Sequence, residues 1–493
     1  MTDLRAPERA PTPPTPPRPP GRTRPKGSGS GLFRAVWRWH FFASFVVVPV
    51  LLVLATTGLI YLFRFELEPM LHPDLMKAEP SATQPAAQPY SAQLAAVRSA
   101  YPDATVVSLA EPREEGRSTV FSVTMPDGEG RDVFVDPFAV EVLGSMDPDT
   151  TLSGTAVRLH ADLMAGRVGD AVMELGACWA IVMAVTGYYL FLRGRRARKR
   201  LARSGRKGAK LRGRHGVVGA VVGLGLLFLL VSGLPWTGFW GAQVQSLATS
   251  QGSSLWSTDH GAASSPLSTL DESLPHSHAQ DIPWAQQKGD VPTSEVPEDT
   301  GGARGGEHGE GEVNVANVDT AVAVAEREGL RRPFTVALPA TDDGVFSVIG
   351  YAFDAPSDER TVHVDRYGGQ VVSTYGFDDY PALAKVVAQG IGLHEGRSLG
   401  LWSFWGAALM CLGVIFSCVT GPLMWWRRRP KRHGSVAAPR GRMPLRSSPV
   451  LVVGIVALGV LLPFFGISLL AVLLLDQLVL RRVPALAGWF DSV

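Results

Sequence analysis

HFFASFVVVPVLLVLATTGLIYLF, residues His40–Phe63, decides the reading of this chain. After its histidine the stretch holds no ionisable acid or base until the tail end of the run. An apolar run of about 18 or more residues is long enough to cross a bilayer as a helix. Three further runs have the same character, at 171–192, 217–240 and 401–426. A last run, 450–480, is too long for one untilted helix and short for two, with Pro463 near its middle. It reads as one kinked span or a span plus a re-entrant piece. The 493-residue chain is 46% hydrophobic and only 19% charged, whereas soluble domains carry about 25% charged residues. A soluble cytosolic enzyme and a disordered chain are both excluded. The net charge of +2 leaves no basic field for nucleic acid. Cys178, Cys411 and Cys418 all lie in apolar runs and form no Cys-x-x-Cys motif.

The charges are segregated, and this sets the expected topology. Residues 193–214 hold 12 basic and no acidic residues, and 427–446 hold 8 basic and none acidic. Short basic loops stay in the cytoplasm. Residues 64–157 carry 6 basic against 15 acidic residues, and 243–393 carry 8 against 22. These long acidic segments fit the extracytoplasmic side. The expected order begins with a disordered, basic, Pro-rich cytoplasmic tail (1–31) and a first span (32–63). A first outer unit (64–157), an interfacial segment with the second span (158–192) and a basic loop (193–214) follow. Then come the third span (215–240), a flexible linker (241–312) and a second outer unit (313–393). An interfacial segment with the fourth span (394–426), a basic loop (427–447), the C-terminal apolar run (448–480) and a tail (481–493) complete it.

The two halves repeat one pattern. His40 precedes Thr57-Gly58 and His215 precedes Ser232-Gly233, each with 18 residues from His to Gly. His160 precedes Thr186-Gly187 and His394 precedes Thr420-Gly421, each with 27. A 27-residue helix would be about 40 Å long, more than a roughly 30 Å hydrocarbon core needs. Gly166, Gly169, Gly396 and Gly400 are candidate breaks, which would put His160 and His394 on short interfacial helices. The outer segments repeat too. Val133–Val142 resembles Val362–Val371, each an alternating run, a turn and a second alternating run. Helical patterns precede them at Ala92–Ala100 and Val318–Glu326, and strands intervene at Thr119–Met125 and Val345–Phe353. The fold class expected is an α-helical membrane protein with four clear spans, a fifth C-terminal span that is either kinked or broken, and two extracytoplasmic PepSY-like α+β units arising by internal duplication.

Several motifs then point to a family. They are Trp39-His40 with Thr57-Gly58, Leu159-His160 with Gly166, Leu393-His394-Glu-Gly-Arg397, and Thr420-Gly-Pro-Leu-Met-Trp-Trp-Arg427. In this order the chain resembles the PepSY-associated transmembrane helix proteins, whose members include iron-regulated membrane proteins and inner-membrane siderophore reductases. The resemblance implies PepSY-like outer units and two b-type haems held between the helices. It further implies electron transfer across the cytoplasmic membrane to a ferric siderophore or other iron chelate. The electrons would come from a separate donor, a quinol or a cytosolic reductase.

The residues bear on this independently. Ionisable side chains at membrane spans are rare and functional by default, and imidazole is a haem-iron ligand. Topology sorts the four histidines, His40 and His215 toward the inner face, His160 and His394 toward the outer. The expected ligand pairs are His40 with His215 and His160 with His394. Arg158, Arg167 and Arg397 lie close to the outer histidines in sequence, where a guanidinium would meet haem propionates or an anionic chelate. The competing reading makes the histidines interfacial caps and the arginines membrane anchors. Gly216, Gly219, Gly223 and Gly225 read as a small-residue helix interface. His260, His276, His278 and His308 read as solvated linker residues and His363 as structural. Two other functions fit the pattern, a non-enzymatic PepSY binding or regulatory protein anchored by its spans, and an iron-chelate permease.

Overall fold

The computed structural model describes residues 28–205, 208–251, 268–274, 282–294, 315–428, 436, 438 and 449–490. Residues 1–27 of the expected 1–31 tail and the linker histidines His260, His276, His278 and His308 lie outside the described residues.

Four long apolar helices form the membrane part: α1 (Ser28–Leu62), α6 (Gly166–Arg193), α8 (Ala209–Gly233) and α12 (Leu401–Arg428). Between α1 and α6 lie α2 (Arg64–Leu71), α3 (Pro73–Met76), α4 (Tyr90–Ala100) and α5 (Leu152–Asp162), and α7 (Arg195–Arg203) joins α6 to α8. The helix α1 packs on α6 and α12, and α8 packs on the same two, so the four spans close into a ring. Their inward faces build an apolar core that includes Val47, Leu51, Cys178, Ile181, Val222, Leu230, Val414 and Cys418. Lipid is as apolar as these side chains, so close contact rather than water exclusion must hold the ring. Glycines supply it. A Cβ at Gly176 would lie 2.6 Å from Val50, and one at Gly413 would lie 2.4 Å from Val222. Of the anticipated small-residue stripe, Gly225 meets Met410 and Gly223 meets Tyr188, while Gly219 faces nothing within 4 Å.

Two helices follow the ring, α13 (Pro449–Leu461) and α14 (Pro463–Leu475), with a π-helical turn over Asp476–Leu480. The chain bends at Leu462–Pro463 so sharply that a Cβ on Gly466 would sit 2.4 Å from the Gly459 carbonyl oxygen. Pro463 takes the first position of α14, where its missing N–H costs nothing. α14 leans on α6, with Trp179 Nε1 donating to Ser468 Oγ at 2.9 Å. Among the described residues, five helices are long and apolar enough to span a membrane: Gly31–Leu62, Gly166–Arg193, Ala209–Trp236, Leu401–Arg428 and Pro463–Leu480.

The strands are β1 (Thr105–Ala110), β2 (Thr119–Thr124), β3 (Gly130–Asp136), β4 (Glu141–Met146), β7 (Thr335–Ala337), β8 (Val345–Gly350), β9 (Arg360–Asp365) and β10 (Val371–Gly376), with a short pair β5 (Ser268–Thr269) and β6 (Asp290–Val291) between. The eight long strands form one antiparallel sheet, ordered β10-β9-β8-β7-β1-β2-β3-β4. Each half is a meander, and the halves meet where Leu109 pairs with Val336. Where two separate sheets are the natural sequence reading, the strands run as one. The helices α4 and α10 (Val318–Arg327) lie on the same face, over a shared core of Val97, Leu109, Phe121, Val133, Ala321, Val336, Val348 and Val362. Alternation along β2 explains its orientation, with Thr119, Phe121 and Val123 buried and the residues between them less so.

Polar contacts sew the halves together. Asp319 of α10 accepts from the backbone N–H groups of Tyr90 and Ser91 at the start of α4. The buried Glu111 carboxylate accepts from Tyr90 Oη and Arg332 Nη1, both at 2.7 Å, and from the Phe334 N–H. Burial pushes the Glu111 carboxyl above its ordinary range, and Tyr90 and Arg332 pull against it. On the sheet's other face Ser122 Oγ donates to Asp132 at 2.8 Å. Burial pushes Asp132 up to about 6, the Ser122 hydroxyl opposes this, and Asp147 and Asp149 add to it.

The linker expectation for 241–312 is corrected over its described parts. Helix α9 (Gly238–Gln251) continues beyond the third span. Leu270, Leu274, Ile282 and Val291 pack under the second half of the sheet against Val345 and Ile349. Trp284 and Ala285 pack against Tyr375 and Tyr380. Gln286 is buried, donating to Tyr380 Oη at 2.7 Å and accepting from Thr361 Oγ1.

Candidate functional site

The four histidines of the spans sit at two levels of the bundle. His40 lies inside α1 and His215 in the first turns of α8, toward the basic loops. His160 lies on α5 and His394 at the end of α11 (Ala382–His394), toward the sheet. The segments α5 and α11 are separate helices. Thr151 caps α5 by accepting from the Gly154 N–H at 2.9 Å. The close turn there requires glycine, because a Cβ on Gly154 would lie 2.1 Å from the Pro148 carbonyl oxygen. The chain leaves α5 through Leu163 and Met164 at positive φ and leaves α11 through Gly396 at φ 73°.

Each imidazole meets a hydroxyl on a neighbouring span. The Nδ1 atoms of His40, His160, His215 and His394 lie 3.2, 2.9, 2.9 and 3.0 Å from the hydroxyl oxygens of Thr186, Thr57, Thr420 and Ser232. Each ring also lies over the following glycine. A Cβ there would come 3.3 Å from His40 at Gly187, 3.5 Å from His160 at Gly58, 3.2 Å from His394 at Gly233 and 3.9 Å from His215 at Gly421. The Thr-Gly and Ser-Gly pairs end the repeated intervals in the sequence, yet each serves the histidine of another helix. His40 of α1 uses the pair on α6, and His160 of α5 uses the pair on α1. His215 of α8 uses the pair on α12, and His394 of α11 uses the pair on α8.

The hydroxyls decide the tautomer. Thr57, Thr186, Ser232 and Thr420 each donate to the carbonyl oxygen four residues earlier, at 2.7, 2.9, 2.9 and 2.7 Å. A hydroxyl has one proton to give. With that proton on the helix carbonyl, the oxygen accepts from the imidazole. Each histidine therefore carries its proton on Nδ1 and presents the Nε2 lone pair, the arrangement that second-shell acceptors impose on metal-binding histidines.

The two levels each bring two histidines together. The rings of His160 and His394 are 6.3 Å apart, centre to centre, and nearly perpendicular at 84°. Two imidazoles bound to opposite sides of one metal at about 2 Å would have ring centres roughly 6 Å apart. Trp236 borders this pair, its ring 5.7 Å from that of His394. His40 on α1 and His215 on α8 are the two histidines of the loop-side level. Among the described residues, no group of three or more His, Cys, Asp and Glu side chains gathers to hold a bare metal ion. Paired imidazoles beside glycines are a donor set that would suit a flat macrocyclic metal complex taking two nitrogen ligands.

Of the three arginines expected near the outer pair, Arg167 is exposed in the first turn of α6, and the other two differ from one another. Arg158 lies on α5, partly exposed, and no ion-pair partner meets it among the described residues. Arg397 is buried. Its Nη2 lies 3.1 Å from Glu359 Oε1, its Nε donates to Glu395, and its Nη1 reaches the Phe353 carbonyl oxygen at 3.4 Å. Its guanidinium is 4.4 Å above the Tyr351 ring. All three nitrogens are committed within the protein, so the expected contact of Arg397 with a cofactor carboxylate or chelate has no free edge to use. Arg397 instead ties the end of α11 to the sheet. Burial pushes the Glu359 carboxyl up, against the pull of Arg397. His363, read as structural, is a buried strand residue bonded to Ser347 at 2.9 Å.

Together these features define a multi-pass membrane protein that carries paired imidazoles at two levels of a four-helix ring beneath one helix-covered sheet. The chain matches the family described as the PepSY-associated TM region over residues 37–428, and it belongs to that family. The matched stretch contains all four histidines and all four hydroxyls and stops before α13. None of the curated proteins compared with the chain matches it.

Proposed function

We propose that this protein is a transmembrane oxidoreductase that holds two b-type haems and passes electrons across the cytoplasmic membrane to a ferric chelate. One observation supports it above the others. Four histidines each have Nδ1 against a hydroxyl of a neighbouring helix, two at each level of the bundle, and the rings of the sheet-side two are 6.3 Å apart. Imidazoles that merely cap a span have no need of a fixed tautomer four times over. His160 and His394 would hold the haem toward the outer face, and His40 and His215 the one toward the inner face. Bound haem supplies a one-electron iron couple at each level.

The chain's own residues do the rest. The hydroxyls hold the Nδ1 protons and so keep Nε2 unprotonated. The glycines after them leave room along each ring, and the apolar core of the spans excludes water. Arg158 is the cation left for a haem propionate. The excess of Lys and Arg in the two short loops supports a cytoplasmic N-terminus and cytoplasmic loops, with the sheet outside. The matched half-structures point to internal duplication and to two PepSY-like outer units. Overall, each ferric ion gains one electron and becomes ferrous, which loosens a hard oxygen-donor chelate. The electron is lost by a separate quinol or cytosolic reductase.

The test is a reduced-minus-oxidised spectrum of the purified protein with pyridine haemochrome quantitation. The expected result is two b-type haems per chain with bands that sharpen on dithionite reduction. A folded, colourless preparation from haem-replete cells would overturn the proposal. It would then favour a binding or regulatory protein, or, if chelate were taken up without reduction, a permease.

A further inference from the structure

On the loop side of the ring the chain gathers cations that the proposed function leaves unused. Six of the nine residues of α7 are basic: Arg195, Arg196, Arg198, Lys199, Arg200 and Arg203. All but Arg198 are exposed, and residues 193–214 contain no acid. Arg198 turns back toward the spans. Its guanidinium carbon lies 4.0 Å from the Phe191 ring centre, and its Nη1 donates to the Phe191 carbonyl oxygen. Its Cδ lies 3.6 Å from where a Cβ on Gly216 would stand, and Gly216 follows His215. From α8 and α12, Arg212 and Arg428 each come 5.4 Å from the Trp37 ring centre. Trp37 precedes His40 by three residues, as Arg212 precedes His215. Three segments of the chain thus carry guanidiniums to the end of the bundle that holds the loop-side histidines.

Basic loops orient spans and attract anionic headgroups, but the placement of α7 goes beyond that role. Helix α6 has 28 residues and is about 42 Å long, already more than a roughly 30 Å hydrocarbon core. α7 carries the hydrogen-bond ladder onward. Gly194 N–H donates to the Leu190 carbonyl oxygen and Arg198 N–H to that of Gly194, both at 2.9 Å. This adds about 13 Å, so α7 stands clear of the hydrocarbon. A helix that rests on a bilayer keeps an apolar face in it, whereas α7 has only Ala197, Leu201 and Ala202 beside its six cations. Partial burial and the charges of Arg212 and Arg195 pull Arg198 below the ordinary guanidinium range. Like charges held together in water draw an acidic surface from roughly 8–10 Å at ordinary salt and raise its rate of encounter.

We propose that α7, with the start of α8, is the docking surface of an acidic, water-soluble protein that carries one electron. This rests on the oxidoreductase reading for the partner's task, and it selects a soluble protein over a membrane quinol as the donor. Docked there, the carrier loses one electron and the loop-side level gains it, with no bond made or broken. Redox encounters of this kind use small contacts steered by charge, and exposed guanidiniums take carboxylates in pairs. Arg198 against Gly216 keeps the docking helix in contact with the residue that follows His215.

The full-length protein in phosphatidylcholine nanodiscs would be titrated with flavodoxin, an acidic one-electron carrier. Cytochrome c, a basic carrier, and α-lactalbumin, an acidic protein without a redox group, are the controls. Flavodoxin should bind, more weakly as salt is raised, cytochrome c should not, and α-lactalbumin should bind about tenfold more weakly than flavodoxin. Arg196, Arg200 and Arg203 share one face of α7 at the i, i+4, i+7 spacing. Arg196→Gln, Arg200→Gln and Arg203→Gln together should weaken flavodoxin about tenfold without moving the melting temperature. Arg196→Lys, Arg200→Lys and Arg203→Lys together should keep the binding. Flavodoxin affinity that ignores both the Gln substitutions and salt overturns the proposal, as does affinity no better than that of α-lactalbumin. So does an effect of the Gln substitutions confined to retention of phosphatidylglycerol. The two proposals fail separately. A pigmented protein that ignores flavodoxin sinks only this one, and a colourless protein that binds flavodoxin through α7 keeps the docking surface and sinks the other.

Discussion

The sheet-side pair, His160 and His394, and the loop-side pair, His40 and His215, share one chemistry but are delivered by different structures. The loop-side histidines are part of spanning helices, and their positions depend on how α1 and α8 pack. The sheet-side histidines ride on short helices that are fastened outside the ring, α5 to α2 and the end of α11 to the start of β9. Glu68 accepts from the Ser153 N–H of α5 at 2.6 Å, and Arg397 joins the end of α11 to Glu359. The sheet-side pair is therefore mechanically connected to elements outside the ring, and the loop-side pair is isolated from them. A ligand or partner acting on the sheet has a route to one pair only.

The comparison breaks most directly at the imidazoles. His160→Ala or His394→Ala should each remove about half of the bound haem, as should His40→Ala or His215→Ala, and His40→Ala with His160→Ala should leave none. Pyridine haemochrome counts decide it, and full retention in all four single variants breaks the symmetry argument. The next largest effect falls on the fastening. Glu359→Gln removes one of the two carboxylates that meet the buried Arg397 and leaves Glu395, a loss of about 1.5–3 kcal/mol. Melting of the outer part should drop, and the spectral signature of the sheet-side pair should broaden while the loop-side pair keeps its own.

A smaller change is expected from the hydroxyls. Thr57→Val and Thr420→Val keep shape but remove the acceptor, and losses of this kind cost roughly 10–100-fold in metal affinity. Thr57→Ser should behave as the unmodified protein, and potentiometric titration of each variant would show whether the two levels shift independently. The smallest effect concerns Asp132. Its folded value of about 6 stands above the ordinary 3.8, so the folded state holds the proton more tightly. The stability that follows is complete below about pH 4 and lost as the pH rises through 6. Asp132→Asn should flatten this dependence and gain roughly 2–3 kcal/mol at neutral pH, measured as melting temperature against pH.

The spans were legible because long apolar runs have one physical explanation in a chain this poor in charge. The repeated histidine intervals were legible for the same kind of reason, since they are one-dimensional. Which helix faces which is not. The hydroxyl and glycine that receive each imidazole come from another helix, so the sequence displays both partners and conceals the match. The join of β1 to β7 is made by backbone groups, which every strand possesses. The segments 268–274 and 282–294 read as linker because a few apolar residues, Leu270, Ile282, Trp284 and Val291, are spread among polar ones.

The crosswise hydrogen bonds have one further consequence. Helix α1 gives a histidine to α6 near one end and receives one from α5 near the other, and α8 stands in the same relation to α12 and α11. A helix tied at two heights cannot slide along its neighbour by a turn, about 5.4 Å, without breaking both ties together. Each half of the bundle is thus a ruler that fixes its own length, and the vertical separation of the two imidazole levels is set before any cofactor arrives.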